Sequence, residues 1–256
     1  MTRNPLAQAL LWFVLALILA VLYLPLLPPF LASVGVGGPE GGDGFTWRWY
    51  ASLGDNPLLA GAIASSLAAA LITAVAAPFL GLLAAMAVRE LKAPRVILLL
   101  VLLPLFIPGV SLGLAIALFL RELDLAPALW SIALVHILWA LPFATLIILT
   151  AMASFDPVYL EAAYLSGAGR FRAFREIELP LIRPGILGAA SFSMILSFNE
   201  TIRTSLVQGP LNTVQTYIWS TYLQVGLSPA LYALMSLLVL LTVLLLALSL
   251  AAGRRS

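Results

Sequence analysis

Three side chains in one apolar stretch of the sequence carry polar or ionisable groups: Asn199, Glu200 and Arg203. An unpaired charge inside a bilayer costs at least about 2.5–3.5 kcal/mol, so ionisable residues there indicate function by default. Glu200 and Arg203 are also three residues apart, and on a helix they could pair with each other. Both interpretations hold if the pair lines a water-filled cavity.

The same stretch is unusually polar for a membrane helix. Its hydroxyl side chains are Ser191, Ser193, Ser197, Thr201, Thr204 and Ser205. This pattern favours a helix that faces a polar pathway or a protein partner rather than lipid. His136, the single histidine, lies in another apolar run. There a hydrogen-bonded packing role competes with the role of a proton carrier.

Composition excludes several kinds of chemistry. The chain has no cysteine, which excludes disulfides, thiolate metal sites and cysteine nucleophiles. One histidine cannot build a multi-histidine metal site. The single lysine, Lys92, stands between Leu91 and Ala93, whereas a phosphate-binding P-loop needs Gly-Lys-Ser/Thr. The chain therefore cannot hydrolyse ATP by a P-loop, and no cofactor of its own is expected.

Long apolar runs must position these residues. The 256 residues are 62% hydrophobic and 9% charged, whereas soluble domains carry about 25% charged residues. A helix of about 20 apolar residues spans the hydrocarbon. Six runs qualify: 6–31, 58–88, 96–120, 128–153, 185–207 and 230–252. The predicted fold is all-α, one integral-membrane domain of six transmembrane helices over residues 1–256.

Prolines within these spans predict bends. In soluble helices Pro78, Pro104, Pro108 and Pro142 would argue for breaks, but in a bundle neighbouring helices can satisfy the freed carbonyls. Pro104 and Pro108-Gly109 predict that span three is the most bent. The first span exceeds the roughly 7–15 residues of a signal-peptide core, so we expect an uncleaved helix.

The cationic residues predict the orientation. An even number of spans puts both termini on one side, and that side would hold ten Lys and Arg residues against two, Arg48 and Arg121, on the other. The ten are Arg3, Arg89, Lys92, Arg95, Arg170, Arg172, Arg175, Arg183, Arg254 and Arg255. Cytoplasmic loops carry the excess of positive charge, so both termini are predicted to be cytoplasmic.

Two segments are predicted on the outer side. The first, 33–57, is Gly-rich and then amphipathic, with Phe45, Trp47, Trp49, Tyr50 and Leu53. These aromatic residues fit the headgroup belt, and a docking surface for an external partner is the alternative. The second, 208–228, is predicted to contain a short helix near 216–223.

The segment 156–180, between spans four and five, has the most informative pattern. Asp156 suits a helix N-cap, Pro157 suits the first helical position, and Gly167 and Gly169 allow a left-handed turn after a short helix. A second piece has Phe171, Phe174 and Ile177 on one face, opposite Arg172, Arg175 and Glu176, and we expect Pro180 to end it. Periodicity alone leaves open a helix on the membrane surface or a docking site for a partner.

This segment resembles the EAA loop of ABC importer permeases. The motif is Glu-Ala-Ala, three residues, Gly, nine residues, Ile, one residue and Leu-Pro, and every position matches. The matching residues are Glu161, Ala162, Ala163, Gly167, Ile177, Leu179 and Pro180, with Gly169 and Arg170 in the same turn. The motif also precedes the penultimate span, as in the family. The resemblance covers nearly the whole chain, with a family core over 57–252.

The resemblance implies a type I importer fold in a bacterial inner membrane. The helix around 161–169 would be the coupling helix, seated in a groove of a separate ATPase that binds ATP and Mg. The implied partners are a second permease subunit forming a heterodimer, two ATP-binding subunits, an external substrate-binding protein and membrane lipid, with no nucleic acid. The chain itself would not be an enzyme.

The substrate is the least determined expectation. Ser197-Phe198-Asn199-Glu200, Gly209-Pro210 and the Gly-Leu-Ser-Pro run at 226–229 resemble the spermidine/putrescine branch. That resemblance implies a substrate pathway at Ser197, Asn199, Glu200 and Arg203, and it favours a polyamine-like cation. Because Arg203 could neutralise Glu200, ferric iron, thiamine, an opine or an amino-acid-like solute stays open.

Two other classes of protein compete with a permease subunit. A stand-alone secondary transporter would often show internal repeats, and the two halves share no convincing repeat. A membrane scaffold without transport would not need Glu161 or Gly167. The EAA match favours the permease subunit over both.

Overall fold

Helices make up the regular structure in the described part of the chain. This computed structural model describes residues 5–36 and 44–253, with side chains for 6–36 and 44–243. The helices are α1 (Pro5–Tyr23), α2 (Leu27–Ser33), α3 (Arg48–Gly54), α4 (Pro57–Glu90), α5 (Pro94–Phe106), α6 (Gly109–Glu122), α7 (Leu129–Ala153), α8 (Val158–Leu165), α9 (Arg170–Ala173), α10 (Leu179–Phe198), α11 (Ile202–Val207), α12 (Val214–Val225) and α13 (Pro229–Gly253). A 3₁₀ turn, Leu24–Leu26, joins α1 to α2, and a π turn, Phe174–Glu178, joins α9 to α10. The all-α fold class is confirmed.

The predicted spans correspond to apolar helical segments. Among the described residues, four segments are long and apolar enough to cross a bilayer: Leu6–Ser33, Pro57–Glu90, Leu129–Ala153 and Arg170–Phe198. The bent pair α5 and α6 makes a fifth crossing if it counts as one span. α13 is apolar as far as Val243, where the described side chains end. The short helix predicted near 216–223 is present as the longer α12.

The strongest bend lies where the prolines of span three predict it. α5 and α6 meet at 100° across a break of two residues, Ile107 and Pro108. Ile107 is extended, with φ −87° and ψ 126°, because the ring of a following proline disfavours the helical conformation. Pro108 has no N–H to continue the α5 hydrogen bonds. Pro78 and Pro142 lie inside the uninterrupted helices α4 and α7.

Span five differs from its prediction at both ends. Helical structure begins at Arg170 rather than near residue 185, and Pro180 does not end it. Pro180 is the second residue of α10, directly after the π turn, and the helical segment continues through it. The span then breaks after Phe198, and α11 begins at Ile202. The expected continuous helix to residue 207 is therefore wrong, and the break falls at the polar residues 199–201.

The described residues form two compact units. The first contains the described residues up to Pro57 and from Ser220 onward, and the second is Leu58–Trp219. In the first unit α13 packs against α2 and α3, and Ser33 Oγ lies 2.7 Å from Tyr50 Oη. Phe45 and Trp47 are exposed there, so a headgroup belt and a docking surface both stay predictions. Of the ten cationic residues that predict orientation, Arg3, Arg254 and Arg255 lie outside the described residues.

Small side chains build the core of the second unit. α4, α7 and α10 contribute Ala77, Ala85, Ala140, Ala144, Ile148, Met152, Ile182 and Ala189 to one buried cluster. Packing of membrane helices depends on close van der Waals contact, which small residues allow. A Cβ added at Gly81 of α4 would lie 3.0–3.2 Å from Thr145 N, Ala144 C and Ala144 Cβ of α7. The backbones of α4 and α7 therefore touch at this point.

Gly185 of α10 gives a test of this close packing. A Cβ at Gly185 would lie 2.3 Å from Ala151 Cβ on α7, so we expect Gly185→Ala to destabilise the protein by about 1–3 kcal/mol through overpacking. Gly188→Ala is the matched control on the same helix, because nothing lies within 4 Å of its Cβ position. Thermal unfolding in detergent measures the difference. Equal midpoints for the two variants would contradict the α7–α10 contact.

Candidate functional site

The 156–180 segment begins with the capped helix that its sequence predicts. Asp156 Oδ1 accepts a hydrogen bond from Val158 N at 3.0 Å, and Glu161 N donates to Pro157 O at 3.1 Å. Satisfying free N–H groups in the first turn is the role of an N-cap side chain. The predicted Asp156 cap is present, and α8 begins at Val158, one residue after the predicted Pro157.

α8 ends in a Schellman motif centred on Gly167. Ala168 N donates to Ala163 O and Gly167 N to Tyr164 O, both at 3.0 Å, which is the hydrogen-bond pair of that motif. Gly167 has φ +82°, a conformation that costs little only for glycine. Gly169 has φ −70° and ψ 159° instead, so its expected left-handed turn is wrong, and it precedes α9 in an extended conformation.

The segment presents an exposed, partly apolar face. Glu161, Ala162 and Gly167 are exposed, whereas Ala163 is buried at 7%. Leu165 is 90% exposed and Phe171 is 73% exposed. Large apolar side chains at this exposure indicate a surface available to a protein partner or to lipid.

The second half of the segment buries two residues outside the predicted apolar row. Its fully buried residues are Ala173 and Glu178, at 1% each, while Phe171 is exposed. Ala173 and Glu178 are five residues apart, and a π turn with i→i+5 bonds can bring such residues onto one face. Leu179 N donates to Phe174 O in this turn. Of the predicted apolar row, Phe174 and Ile177 are partly buried and Phe171 is exposed, and the charged residues Arg172, Arg175 and Glu176 are exposed.

Glu178 is a site residue that the sequence did not single out. Its buried carboxylate accepts two hydrogen bonds from Arg89, at the end of α4, and the Arg89 Nη2–Glu178 Oε2 bond is 3.3 Å long. Arg89 Nε also donates to Glu90 Oε1 at 3.0 Å. Two hydrogen bonds between one guanidinium group and one carboxylate fix the relative orientation of the two side chains as well as their distance. No local pattern marks Glu178, because its partner lies 89 residues away.

The remaining residues of the EAA match lie around this contact. Arg170 and Pro180 are exposed, and Ile177 and Leu179 are partly buried. The residues of the EAA match are thus divided between the exposed helix α8 and the segment around Glu178, which contacts α4 through Arg89.

A buried polar cluster surrounds the break in span five; we use this term for His136, Trp139, Ser197, Glu200, Arg203 and Thr204. Glu200 Oε1 accepts from Arg203 N at 2.9 Å, and Glu200 Oε2 accepts from Arg203 Nη1 at 2.6 Å. Both residues are buried, at 6% and 7% exposure. The expected pair is present, and the first of its bonds also caps the N-terminus of α11.

Arg203 packs against two other helices through its guanidinium group. Its Cζ lies 4.0 Å from the ring centroid of Trp139 on α7, within the range of a cation–π contact. A Cβ added at Gly109, the first residue of α6, would lie 3.2 Å from the Arg203 Cζ. The bend of span three and the break of span five thus meet at Arg203.

His136 joins the two sides of the break. Its Nδ1 lies 2.6 Å from Ser197 Oγ at the end of α10, and its Nε2 lies 2.8 Å from Thr204 Oγ1 on α11. The ring is 1% exposed, and both nitrogens are engaged, which is the packing interpretation of this residue. Asn199 is exposed, and its Nδ2 donates to Ile195 O at 2.9 Å.

The four predicted pathway residues therefore differ in accessibility. Ser197, Glu200 and Arg203 are buried in the polar cluster, and Asn199 is exposed. Among the described residues, no group of three or more His, Cys, Asp or Glu side chains could hold a metal ion.

Comparison with known proteins identifies one family. The profile described as "Binding-protein-dependent transport system inner membrane component" matches residues 77–255. This range contains the whole 156–180 segment and the buried polar cluster.

Curated relatives cover most of the chain. The spermidine/putrescine transport system permease protein PotC of Escherichia coli is 28% identical over 202 residues, which are 78% of this chain and 76% of PotC. PotC of Haemophilus influenzae is 26% identical over 208 residues, 80% of this chain and 81% of the relative. The putrescine transport system permease protein PotI of Escherichia coli is 28% identical over 204 residues, 76% and 73% of the two chains.

Solved structures share the fold. A chain of a bacterial ABC transporter involved in the import of the acidic polysaccharide alginate matches with a TM-score of 0.74 and 18% identity, covering 98% of this chain and 95% of that one. A chain of the alginate transporter in complex with its pentasaccharide-bound periplasmic protein matches with a TM-score of 0.62 and 19% identity, over 90% and 85%. At these identities the likeness concerns the fold alone.

Proposed function

Because the chain belongs to the family of binding-protein-dependent transport system inner membrane components, the permease subunits of ABC importers, we propose that it forms half of a translocation pathway for a polyamine-like cation. In this proposal a separate ATPase supplies the energy and is engaged through the 156–180 segment. The observation that carries the proposal is the exposed, Schellman-capped helix α8 with the complete EAA match.

The geometry of α8 supports a docking role. The Asp156 cap and the Gly167 turn stabilise its two ends. The helix can therefore move as a rigid unit when a bound partner moves. Glu161, Tyr159 and Leu165 are exposed and offer one carboxylate and two large apolar side chains to a groove. An exposed set of this kind resembles a protein interface more than a solvated loop.

The orientation with both termini in the cytoplasm belongs to this proposal. The contact between Arg89 and Glu178 puts the end of α4 beside the 156–180 segment. Both regions are rich in Arg and were assigned to the same side by the positive-inside rule. The further partners proposed are a different second permease subunit, two ATP-binding subunits and an external substrate-binding protein.

The polyamine substrate is supported by the relatives rather than by a free carboxylate in the pathway. The names of PotC and PotI specify spermidine and putrescine for those proteins. In this chain both carboxylate oxygens of Glu200 are bonded to Arg203. A cation would therefore meet a neutralised pair unless the pair opens during transport.

Uptake by the reconstituted assembly tests the proposal. This chain is co-expressed with a second permease subunit, the ATPase and the substrate-binding protein encoded by neighbouring genes. The assembly is purified in detergent and reconstituted into proteoliposomes. We expect the ATPase to co-purify, and labelled spermidine or putrescine to enter only with ATP and the binding protein. An ATPase with its P-loop lysine replaced is the control.

The outcomes separate the two parts of the proposal. ATP-driven uptake of ferric iron, thiamine or an amino acid, with no polyamine uptake, would retain the permease and reject the polyamine. Failure of the wild type to retain the ATPase would reject the docking role of α8.

A further inference from the structure

The ion pair between Arg89 and Glu178 is unusual in where it lies. Glu178 is 1% exposed, and the Arg89 side chain is 35% exposed. Arg89 lies in the last turn of α4, the 34-residue helix that contributes to the core of the second unit. Glu178 lies in the π turn that connects the exposed half of the 156–180 segment to α10. The pair therefore joins a long helix to a segment far from it in sequence.

The local geometry favours a rigid connection. Two Arg89 nitrogens bond the two oxygens of one carboxylate, and Arg89 Nε is held by Glu90. A planar guanidinium group that bonds both carboxylate oxygens resists rotation of the two side chains relative to each other as well as their separation. The positive charge also lies at the C-terminus of α4, where the helix dipole stabilises a cation.

A simple stabilising role does not account well for this arrangement. Replacing a buried ion pair by apolar side chains of similar volume is often neutral or stabilising, so such a pair is weak evidence for stability. The π turn is also a local departure from regular helix, and single π turns are frequent at functional sites. Here the turn contains the buried Glu178 and directly follows the buried Ala173.

We propose that Arg89 and Glu178 are positioning residues that make the end of α4 move together with the 156–180 segment. This inference rests on the proposed function, since it assumes that an ATPase moves α8. Motion of α8 then reaches α4 through the ion pair, as well as α10 through the continuous chain. Two helices of the core would be displaced as one, rather than α10 alone.

The test measures docking and coupling separately. The assembled transporter, with its ATPase subunits and binding protein in lipid nanodiscs, is assayed for co-purified ATPase and for stimulation of ATP hydrolysis by the loaded binding protein. We expect Arg89→Met with Glu178→Met to retain the ATPase. Stimulation should fall at least about fivefold, the lower range of known coupling effects.

The double variant avoids a folding artefact. Arg89→Met alone would leave the buried carboxylate of Glu178 without its partner and could misfold, whereas the double variant leaves no charge of this pair buried. The contact of Arg89 with Glu90 is also lost, but Glu90 is exposed. A purely structural pair predicts wild-type stimulation in the double variant, and that result would overturn the proposal. Lys92→Ala is the matched control, because Lys92 is an exposed cation close to the end of α4 and outside the 156–180 segment. It should leave stimulation within about twofold of the wild type, since surface substitutions usually change little.

Further outcomes are assigned in the same way. An equal loss of stimulation in Lys92→Ala would overturn the proposal, because the removal of any cation near the end of α4 would then have the same effect. A wild-type assembly that neither retains the ATPase nor responds to the binding protein would overturn the proposed function and this inference with it. Wild-type coupling with a normal double variant would overturn the inference alone.

Discussion

Replacing Arg203 by methionine is expected to lower the free energy of unfolding by about 3–5 kcal/mol, the usual cost of leaving one buried partner of an ion pair unpaired. Glu200 is 6% exposed and would lose the hydrogen bond to Arg203 Nη1. The Trp139 ring would also lose the cation that stacks on it. Unfolding titrated with sodium dodecyl sulfate in mixed micelles measures the change.

The neutral double variant is the control for this prediction. Arg203→Met combined with Glu200→Gln leaves no buried charge, and the Gln oxygen can still accept from the N–H of residue 203. We expect the double variant to recover more than half of the lost stability. A double variant as unstable as the single one would show that the guanidinium matters through packing on Trp139 and not through its charge.

Transport by the double variant then decides between the two roles of Glu200. If Glu200 serves only Arg203, the double variant should transport at a rate close to that of the wild type, since their joint removal leaves no unpaired charge. If Glu200 contacts a cationic substrate when the pair opens, polyamine uptake should fail although the protein is folded. In the single variant Glu200→Gln, Arg203 would lose its counter-charge while it still lies beside Gly109, the first residue of α6. The dipole of α6 disfavours a cation at this helix N-terminus.

The second large effect is expected at Gly167. With φ +82° this residue holds a conformation that is an outlier for β-branched residues, although its Cβ position is open. We expect Gly167→Val to cost about 1–2 kcal/mol in the native turn, and ATPase retention by the assembly to fall roughly 5–30-fold, as a change of that size implies. Co-purification in detergent measures this loss.

Gly169→Val provides a matched control two residues away. Gly169 is also open at its Cβ position, but its φ of −70° and ψ of 159° suit valine. It should retain the ATPase nearly as well as the wild type, and Gly167→Asn should lose less than Gly167→Val because asparagine tolerates the left-handed conformation. Equal losses at the two positions would mean that added bulk, and not the turn, disturbs docking.

Much of the fold was predictable from the sequence because lipid imposes a simple rule. Backbone groups in hydrocarbon must bond within the segment, so long apolar runs become helices. The strong bend in span three was predictable as well, since Pro108 acts locally on itself and on Ile107. The Asp156 cap and the Gly167 turn are equally local, and both were expected.

The limits of span five were not predictable from the sequence. Hydropathy does not show that helical structure begins at Arg170, because Arg172, Arg175 and Glu176 are charged and exposed. The break at residues 199–201 is stabilised from α7, by His136 on both sides of it and by Trp139 against Arg203. Contacts of that kind join residues more than 60 positions apart.

By itself, the sequence determined the fold class, the apolar helices and the capped helix α8, and it offered the pairing of Glu200 with Arg203, because each depends on neighbours within a few positions. Only the tertiary structure decided which face of each helix is buried, since helices such as α4 are apolar on all sides and their periodicity carries no direction. It also decided that Arg89 meets Glu178 and that Gly109 lies against Arg203. These contacts arise where separate helices pack together, and no local pattern specifies them.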